Sequence, residues 1–361
     1  GLGDVYKRQA LLLIGFGIQD SILPIVDKQS EQLTHNDMTI VLSDKKALTM
    51  EQGLASTLDS SSAVRSWGAF YTKSTTLYNE EGGSADVSIV GAEDDARMTE
   101  YFTFRTRVGH DPIPFEEDSV ILTEKTALNL RLSVGDTFYV EAADGSRVPL
   151  TLTGIAENYM FTRLYLSGAQ LESLLGGTPE WNTVYGLTGC ATEAEYNALR
   201  TKLLGCNYVS SVSFTEDTTS MFGSLIGSLN YVVVLIIVCA AALAAVVLYN
   251  LISVNLAERK KELATIKVLG FYDKEVYRYI FREIELLSLI GSGVGLLLGV
   301  PLHRFIILTV EMDQLMFIRT IAPRSYLLAV ALTMLFTVVV CFAMRRHVRH
   351  ISMVESMKAP E

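Results

Sequence analysis

NLAERKKELATIKVLGF, running from Asn255 to Phe271, is a short charged stretch set between long apolar runs, and that setting decides the fold. No charged residue occurs from Thr218 to Ala257, from Leu286 to Leu302 or from Tyr326 to Met344. A helix needs about 20 apolar residues to cross about 30 Å of hydrocarbon. Tyr231–Leu251 meets that length alone. The second run reaches it if its helix starts near Ile284 or continues through Phe305 to Val310. The predicted helices are therefore about 228–251, 284–308 and 325–344. The charged stretch lies in the connection 252–283, and the tail is 345–361. Only 19% of the residues are charged and the mean hydropathy is positive, which fits a membrane chain.

At the other end, Asp4–Gln9 reads as an in-frame translation of a sequencing adapter, so residues 1–9 are set aside as a scar. Ala10–Ile18 follows as nine apolar residues, about 13 Å of helix at 1.5 Å per residue. That is too short to span a bilayer, and 10–18 is read as a truncated transmembrane helix. The native protein is then expected to be longer.

Between Gln19 and Ser220 there are 29 acidic and 14 basic residues, a net of −15, while the remainder of the chain is net basic. An acidic region of this size argues against nucleic-acid binding, which needs a basic face. Its aromatic and β-branched content argues against disorder. Val120–Leu122 reads as a strand and Glu124–Leu130 as a short helix with Thr123 as N-cap. Val134–Asp136 reads as a turn. Thr137–Ala142 and Val148–Ile155 alternate around Asp144-Gly145 as a hairpin. Ala169–Leu175 and Glu193–Leu204 read as helices, and Tyr208–Phe214 as a last strand before the membrane. Mixed short strands and helices imply an α+β domain.

Lys and Arg counts near helix ends set orientation, large domains being exempt. The Leu251–Glu285 connection carries seven, the tail after Met344 four, and His303–Arg324 three. Connection and tail are thus expected in the cytoplasm, with the C-terminus, and the acidic domain outside. Cys190 and Cys206 lie in that domain. Two cysteines alone leave pairing open.

Catalytic signals are sparse. HExxH, GxSxG, CxxC and phosphate-loop motifs are absent. Ser43 and Lys46 fit S-x-x-K, but neither S-D-N nor K-T-G accompanies them. His35 and His110 are too isolated to announce a metal site. The three membrane runs carry no internal ionisable residue, which removes the usual sign of an ion pathway.

Two patterns remain. Gly291, Gly295 and Gly299 are spaced by four and share a helix face that allows close approach of another helix. That partner is either a helix of the same chain or a face that slides or dimerises. In the charged stretch, Leu256, Leu263, Ile266 and Leu269 recur at helical spacing, with Gly270 where a helix C-cap belongs and Asp273 placed to cap the next helix. The stretch is either a solvated connector or a docking helix for a cytoplasmic protein.

From about Ser224 onward the chain resembles the FtsX-like permease domain of ABC transporters, on NLAERKKELATIKVLGF, FREIELL, GSGVGLLLG and HISMVESMKAPE. The preceding region, with SVILTEKTALNLRLSVGDTFYV and RLYLSGAQLESLL, is similar to the exterior domain of MacB-type permeases. LLLIGFGIQDSI resembles the first-helix exit of the second repeat in large two-repeat permeases. The resemblance implies one helix before an α+β extracytoplasmic domain and three after it. It implies docking of a separate cytoplasmic ABC ATPase through Glu258, Arg259, Lys261, Glu262, Leu263, Ile266, Lys267, Gly270 and Phe271. It implies a second permease subunit or repeat, the cell membrane as location, and no cofactor in this chain, ATP and Mg²⁺ being held by the ATPase. Movement would then reach the exterior domain for export or extraction of a peptide, lipoprotein or lipid-linked cargo. The rival reading is a signalling scaffold that regulates a cell-wall hydrolase or senses a peptide antibiotic.

Overall fold

A computed structural model describes the chain except for residues 1, 52, 143–144, 259–261, 263–264, 267–268, 271 and 350–361. It divides into two compact units. One comprises residues 24–225 together with Glu311–Phe317. The other comprises residues 1–23, 226–310 and 318–361.

The first unit is built on a ten-stranded mixed sheet of order β10-β1-β9-β2-β3-β8-β4-β7, with β5 pairing β2 and β6. The strands are β1 (Met38–Leu42), β2 (Val64–Tyr78), β3 (Ser84–Ala92), β4 (Val120–Thr123), β5 (Thr137–Glu141), β6 (Arg147–Thr151), β7 (Gly154–Ala156), β8 (Arg163–Leu166), β9 (Thr183–Thr188) and β10 (Val209–Phe214). The long β2–β3 hairpin turns at Asn79–Gly83. There Gly82 takes φ +88° and the Gly83 N–H donates to the Asn79 side chain. Alternation along the strands separates two faces. Leu77, Val87, Ile89, Leu122, Phe138 and Leu164 form one core. On the opposite face Phe70, Tyr101, Phe102, Phe104, Tyr165 and Tyr185 form an aromatic cluster.

Helices α1 (Leu2–Ile22), α2 (Leu54–Ser60), α3 (Asp95–Tyr101), α4 (Glu124–Asn129), α5 (Gly168–Leu175), α6 (Glu193–Leu204), α7 (Thr215–Glu258), α8 (Asp273–Val310) and α9 (Pro323–Arg349) include every long helix among the described residues. Local signals explain several boundaries. Ser167 caps α5 and Gly176, in the left-handed region, ends it. Thr192 and Glu195 close a capping box on α6. Two expectations shift. Thr123 stands at the N-cap of α4, but its hydroxyl does not cap the helix. It accepts instead from the Arg163 backbone N–H. The predicted strand Val148–Ile155 breaks into β6 and β7, because β7 leaves the hairpin to pair in parallel with β4.

In the second unit α1 differs most from expectation. It runs from Leu2 to Ile22, not as a nine-residue stump, since residues 2–9 continue the same helix. At 21 residues it is about 31 Å long. Leu12 and Leu13 are the centre of a core shared with Ala240 of α7, Leu296 of α8 and Ala329 of α9. By length and composition Val5–Leu33, Phe281–Val310 and Pro323–Ala343 can each cross a membrane, and Tyr231–Val247 of α7 is a shorter apolar stretch. Large apolar side chains face outward along these helices, among them Tyr231, Leu235, Leu297, Phe305, Leu327 and Phe342. In water such a surface would be costly; lipid removes the cost. Buried ionisable groups do occur just outside the three uncharged runs. Asp20 near the end of α1 is buried and accepts hydrogen bonds from the Ala322 N–H and the Ser325 hydroxyl, at the N-terminus of α9. A carboxylate from one helix thus caps another. Buried His303 of α8 meets the Ser21 hydroxyl at 3.0 Å.

Candidate functional site

The charged stretch between α7 and α8 is described in part. Arg259, Lys261, Leu263, Lys267 and Phe271 lie outside the described residues. Glu258 closes α7, and Glu262 and Ile266 are helical. Leu269 donates its N–H to the Thr265 carbonyl, and Gly270 follows at φ +95°. A side chain there would be strained, so the glycine ends the helix as a C-cap glycine does. α8 begins at Asp273, with Glu275 accepting from the Tyr272 N–H. Around this turn Leu269 and Tyr272 are 73% and 77% exposed. Tyr272 lies outside the helical-spacing pattern of Leu256, Leu263, Ile266 and Leu269, and only its position beside the glycine turn marks it.

The glycine stripe has a definite partner. A methyl group built on Gly291 would meet Val5 at 2.5 Å, and one on Gly295 would meet Gln9 at 2.4 Å and the Tyr6 carbonyl at 2.7 Å. On Gly299 it would meet Leu13 at 2.9 Å. Val5, Gln9 and Leu13 are themselves spaced by four, so one face of α1 lies on the glycine face of α8. The stripe thus has a helix of the same chain against it.

A third assembly, in the sheet-bearing unit, was not anticipated. Its centre is Glu157–Phe161, just after β7. Gln29, in the short π-helical segment Lys28–Leu33 that follows α1 in sequence, accepts from the N–H groups of Tyr159 and Met160 and donates to the Asn158 side chain at 2.9 Å. From the α8–α9 connection, Met316 donates its N–H to the Tyr159 carbonyl, and Gln314 accepts from the Phe161 N–H. Met160 and Leu315 form a β-bridge. Lys125 of α4 binds Glu311 at 2.6 Å, with side-chain exposures of 12% and 1%. The second Glu311 oxygen accepts from the Phe317 N–H. The two chain segments that continue into α1, α8 and α9 are therefore fastened to one short run of backbone.

Electrostatics reinforce it. The Glu157 carboxylate is fully buried, bound by Arg105 at 2.6 Å and by the Tyr159 hydroxyl, with His110 at 3.3 Å. Burial, and then the bond to Glu157, pushes the Tyr159 phenol well above its ordinary range. Phe161 holds φ +64° and His110 φ +56°, a region non-glycine residues seldom occupy. Such geometry persists only where surrounding contacts over-determine it.

Other singled-out residues do not join a site. Ser43 is exposed and Lys46 faces Asp44 across 4.0 Å at the surface. His35 hydrogen-bonds Thr103. Cys190 and Cys206 are free thiols. Among the described residues no group of three or more His, Cys, Asp or Glu is arranged to hold a metal.

Residues 234–353 match the family model for the FtsX-like permease C-terminal domain. The last third of this chain is similar to that domain. Among curated proteins nothing matches the chain. Solved structures that are similar to it include two exterior domains. One is the extracellular domain of the noncanonic ABC-type transporter YknZ from Gram-positive bacteria, at 16% identity and TM-score 0.31, covering 50% of this chain and all of that one. The other is the periplasmic region of MacB from Actinobacillus actinomycetemcomitans, at 15% identity and TM-score 0.32, covering 52% of this chain and 93% of that one. The matched stretch starts inside α7 and ends beyond α9. It therefore holds the charged stretch, the glycine stripe and the Glu311–Phe317 segment.

Proposed function

We propose that this chain is the transmembrane subunit of an ABC transporter, passing movement from a separate cytoplasmic ATPase to its exterior domain. The observation that carries the reading is the Glu311–Phe317 segment. It belongs to the FtsX-like permease domain by sequence, yet is fastened into the sheet-bearing unit by a buried ion pair and backbone hydrogen bonds. In this reading a displacement of α8 or α9 is passed along the chain through Glu311–Phe317 to Glu157–Phe161. Glu258, Arg259, Lys261, Glu262, Leu263, Ile266, Lys267, Gly270 and Phe271 form the ATPase-docking region, with exposed Leu269 and Tyr272 supplying apolar contact beside it. The chain lies in the cell membrane with the acidic domain outside and the C-terminus inside. ATP and Mg²⁺ stay with the ATPase, and this chain supplies no catalytic group. It works with a second permease subunit or repeat. Cargo is a peptide, a lipoprotein or a lipid-linked molecule.

The test is recovery of the tagged chain from its own membranes, followed by assay of ATP hydrolysis. Wild type should bring down an ATPase. Glu262→Arg and Gly270→Trp should insert at normal levels and lose it. Recovery of a cell-wall hydrolase or sensor kinase without ATPase activity would overturn the transporter reading.

A further inference from the structure

The sheet-bearing unit contains a cavity of about 370 Å³ that the proposed coupling does not use. Its floor is the sheet face beside the aromatic cluster. Thr72 of β2, Ser88 of β3, Arg163 of β8 and Thr183 of β9 line it, with Gln314 of the α8–α9 connection at one side and exposed Asp86 at the rim. Ser88 and Arg163 are register partners across β3 and β8, which places them side by side on the floor. The volume falls within the range of small-ligand sites.

Arg163 is the unusual group. Its Nη1 is buried without a hydrogen-bond partner. The guanidinium hydrogen-bonds the Tyr165 side chain, and its carbon lies 5.4 Å from the Phe102 ring centre. No ion pair with a carboxylate forms among the described residues. Tyr165 satisfies only part of the guanidinium, and a buried cationic N–H left without an acceptor is costly. Arg163 lines an open cavity with no carboxylate paired to it among the described residues, so its guanidinium can still receive an acceptor there. The Thr72 and Thr183 hydroxyls bond each other and the Asn182 side chain, so they line the cavity and do not reach Arg163.

We propose that this cavity binds a carboxylate group, received by Arg163. A carboxylate matches the planar guanidinium fork. A multiply charged anion is disfavoured by Asp86 at the rim and by the net charge of −15 between Gln19 and Ser220. The carboxylate belongs either to a peptide C-terminus or to a small organic acid. The inference stands apart from the ATPase reading, since binding can be measured without any partner.

The experiment uses the purified full chain in detergent and calorimetric titration with three probes. These are N-acetyl-trialanine with a free C-terminus, the same peptide as its amide, and acetate. The free acid should bind, and the amide about tenfold or more weaker. R163M should lose the free acid by a similar factor while keeping or raising the melting temperature. R163K, which keeps the charge without the fork, should fall between them. Acetate that displaces the peptide fully identifies small acids as the source, and a peptide that acetate cannot displace identifies chain ends. Equal binding of acid and amide, no binding of either, or unchanged binding of the acid by R163M would each overturn the proposal.

Discussion

Lys125 and Glu311 make the sharpest test at the scale of single residues. Removing one partner of a buried ion pair weakens the compensation of the other charge, at a cost of up to about 3–5 kcal/mol, whereas replacing both by apolar groups is often nearly neutral. Lys125→Met should therefore destabilise the sheet-bearing unit by roughly 3 kcal/mol in denaturant unfolding, and Lys125→Met with Glu311→Met should recover most of that. Two losses that simply add would show that the pair is not a unit. Exchange of the Phe317 amide should quicken in the single variant, since its acceptor is Glu311. Glu195 gives a pH-dependent counterpart. The backbone N–H groups of Ala191 and then Thr192 hold its carboxyl below the ordinary glutamate range. Its stabilising effect is present above the unfolded-state value and is lost as pH falls through the lower folded value. Glu195→Gln should flatten the acid limb of the unfolding profile below about pH 5. An identical acid limb in both proteins would mean that the capping box contributes nothing on α6.

Among elements, the contact of α1 with α8 depends on the absence of side chains at three positions. Gly295→Ala places a carbon against the Tyr6 carbonyl, which is backbone and cannot swing away, so the helices must part. Gly293 is on the same helix with open space around it. Overpacking costs about 1–3 kcal/mol, while the helix-propensity gain at an unhindered glycine is about 1 kcal/mol. Gly295→Ala should lower the melting temperature in detergent and Gly293→Ala should hold or raise it. A fall of similar size in both would refute close helix contact as the reason for the stripe. The same contrast shows what could be read from sequence. Caps, turns and glycine stops are local, so α4 to α6, the β5–β6 hairpin and the charged turn before α8 were legible. A small-residue stripe states that some helix comes close, but not which, and setting aside residues 2–9 hid Val5 and Gln9, which meet it. The β2 strand was missed because exposed polar residues such as Lys73 and Ser74 interrupt its apolar pattern. The Glu157–Phe161 assembly joins Gln29, Lys125, Tyr159 and Glu311 across long sequence separations, and no local signal marks it.

At the scale of the whole molecule, the chain passes between its two units four times, at 23/24, 225/226, 310/311 and 317/318. The second passage lies inside α7, whose 44 residues contain no break. The start of α7 is held firmly: Thr215 donates its N–H to Asp37 and its hydroxyl to Asn36, and Arg200 pairs with Asp217. If movement is relayed outward, a helix fixed at its start and continuous through the passage carries it best when stiff. Gly223 and Gly227 flank the passage, and a side chain at either would meet open space. Gly223→Ala with Gly227→Ala should therefore stabilise the helix by about 1 kcal/mol per site and preserve the response of the exterior domain to ATP. Ser224→Pro removes a helical hydrogen bond and kinks the same turn at about 3 kcal/mol. It should abolish that response while leaving insertion and ATPase recovery intact. The response is read as the difference in hydrogen exchange at the Met316 and Phe161 amides between ATP-bound and ADP-bound complexes, because both amides are held in the Glu157–Phe161 assembly. A proline variant that still shows the difference would mean that movement arrives through Glu311–Phe317 alone. A double alanine variant that loses it would mean that α7 must bend where the glycines stand.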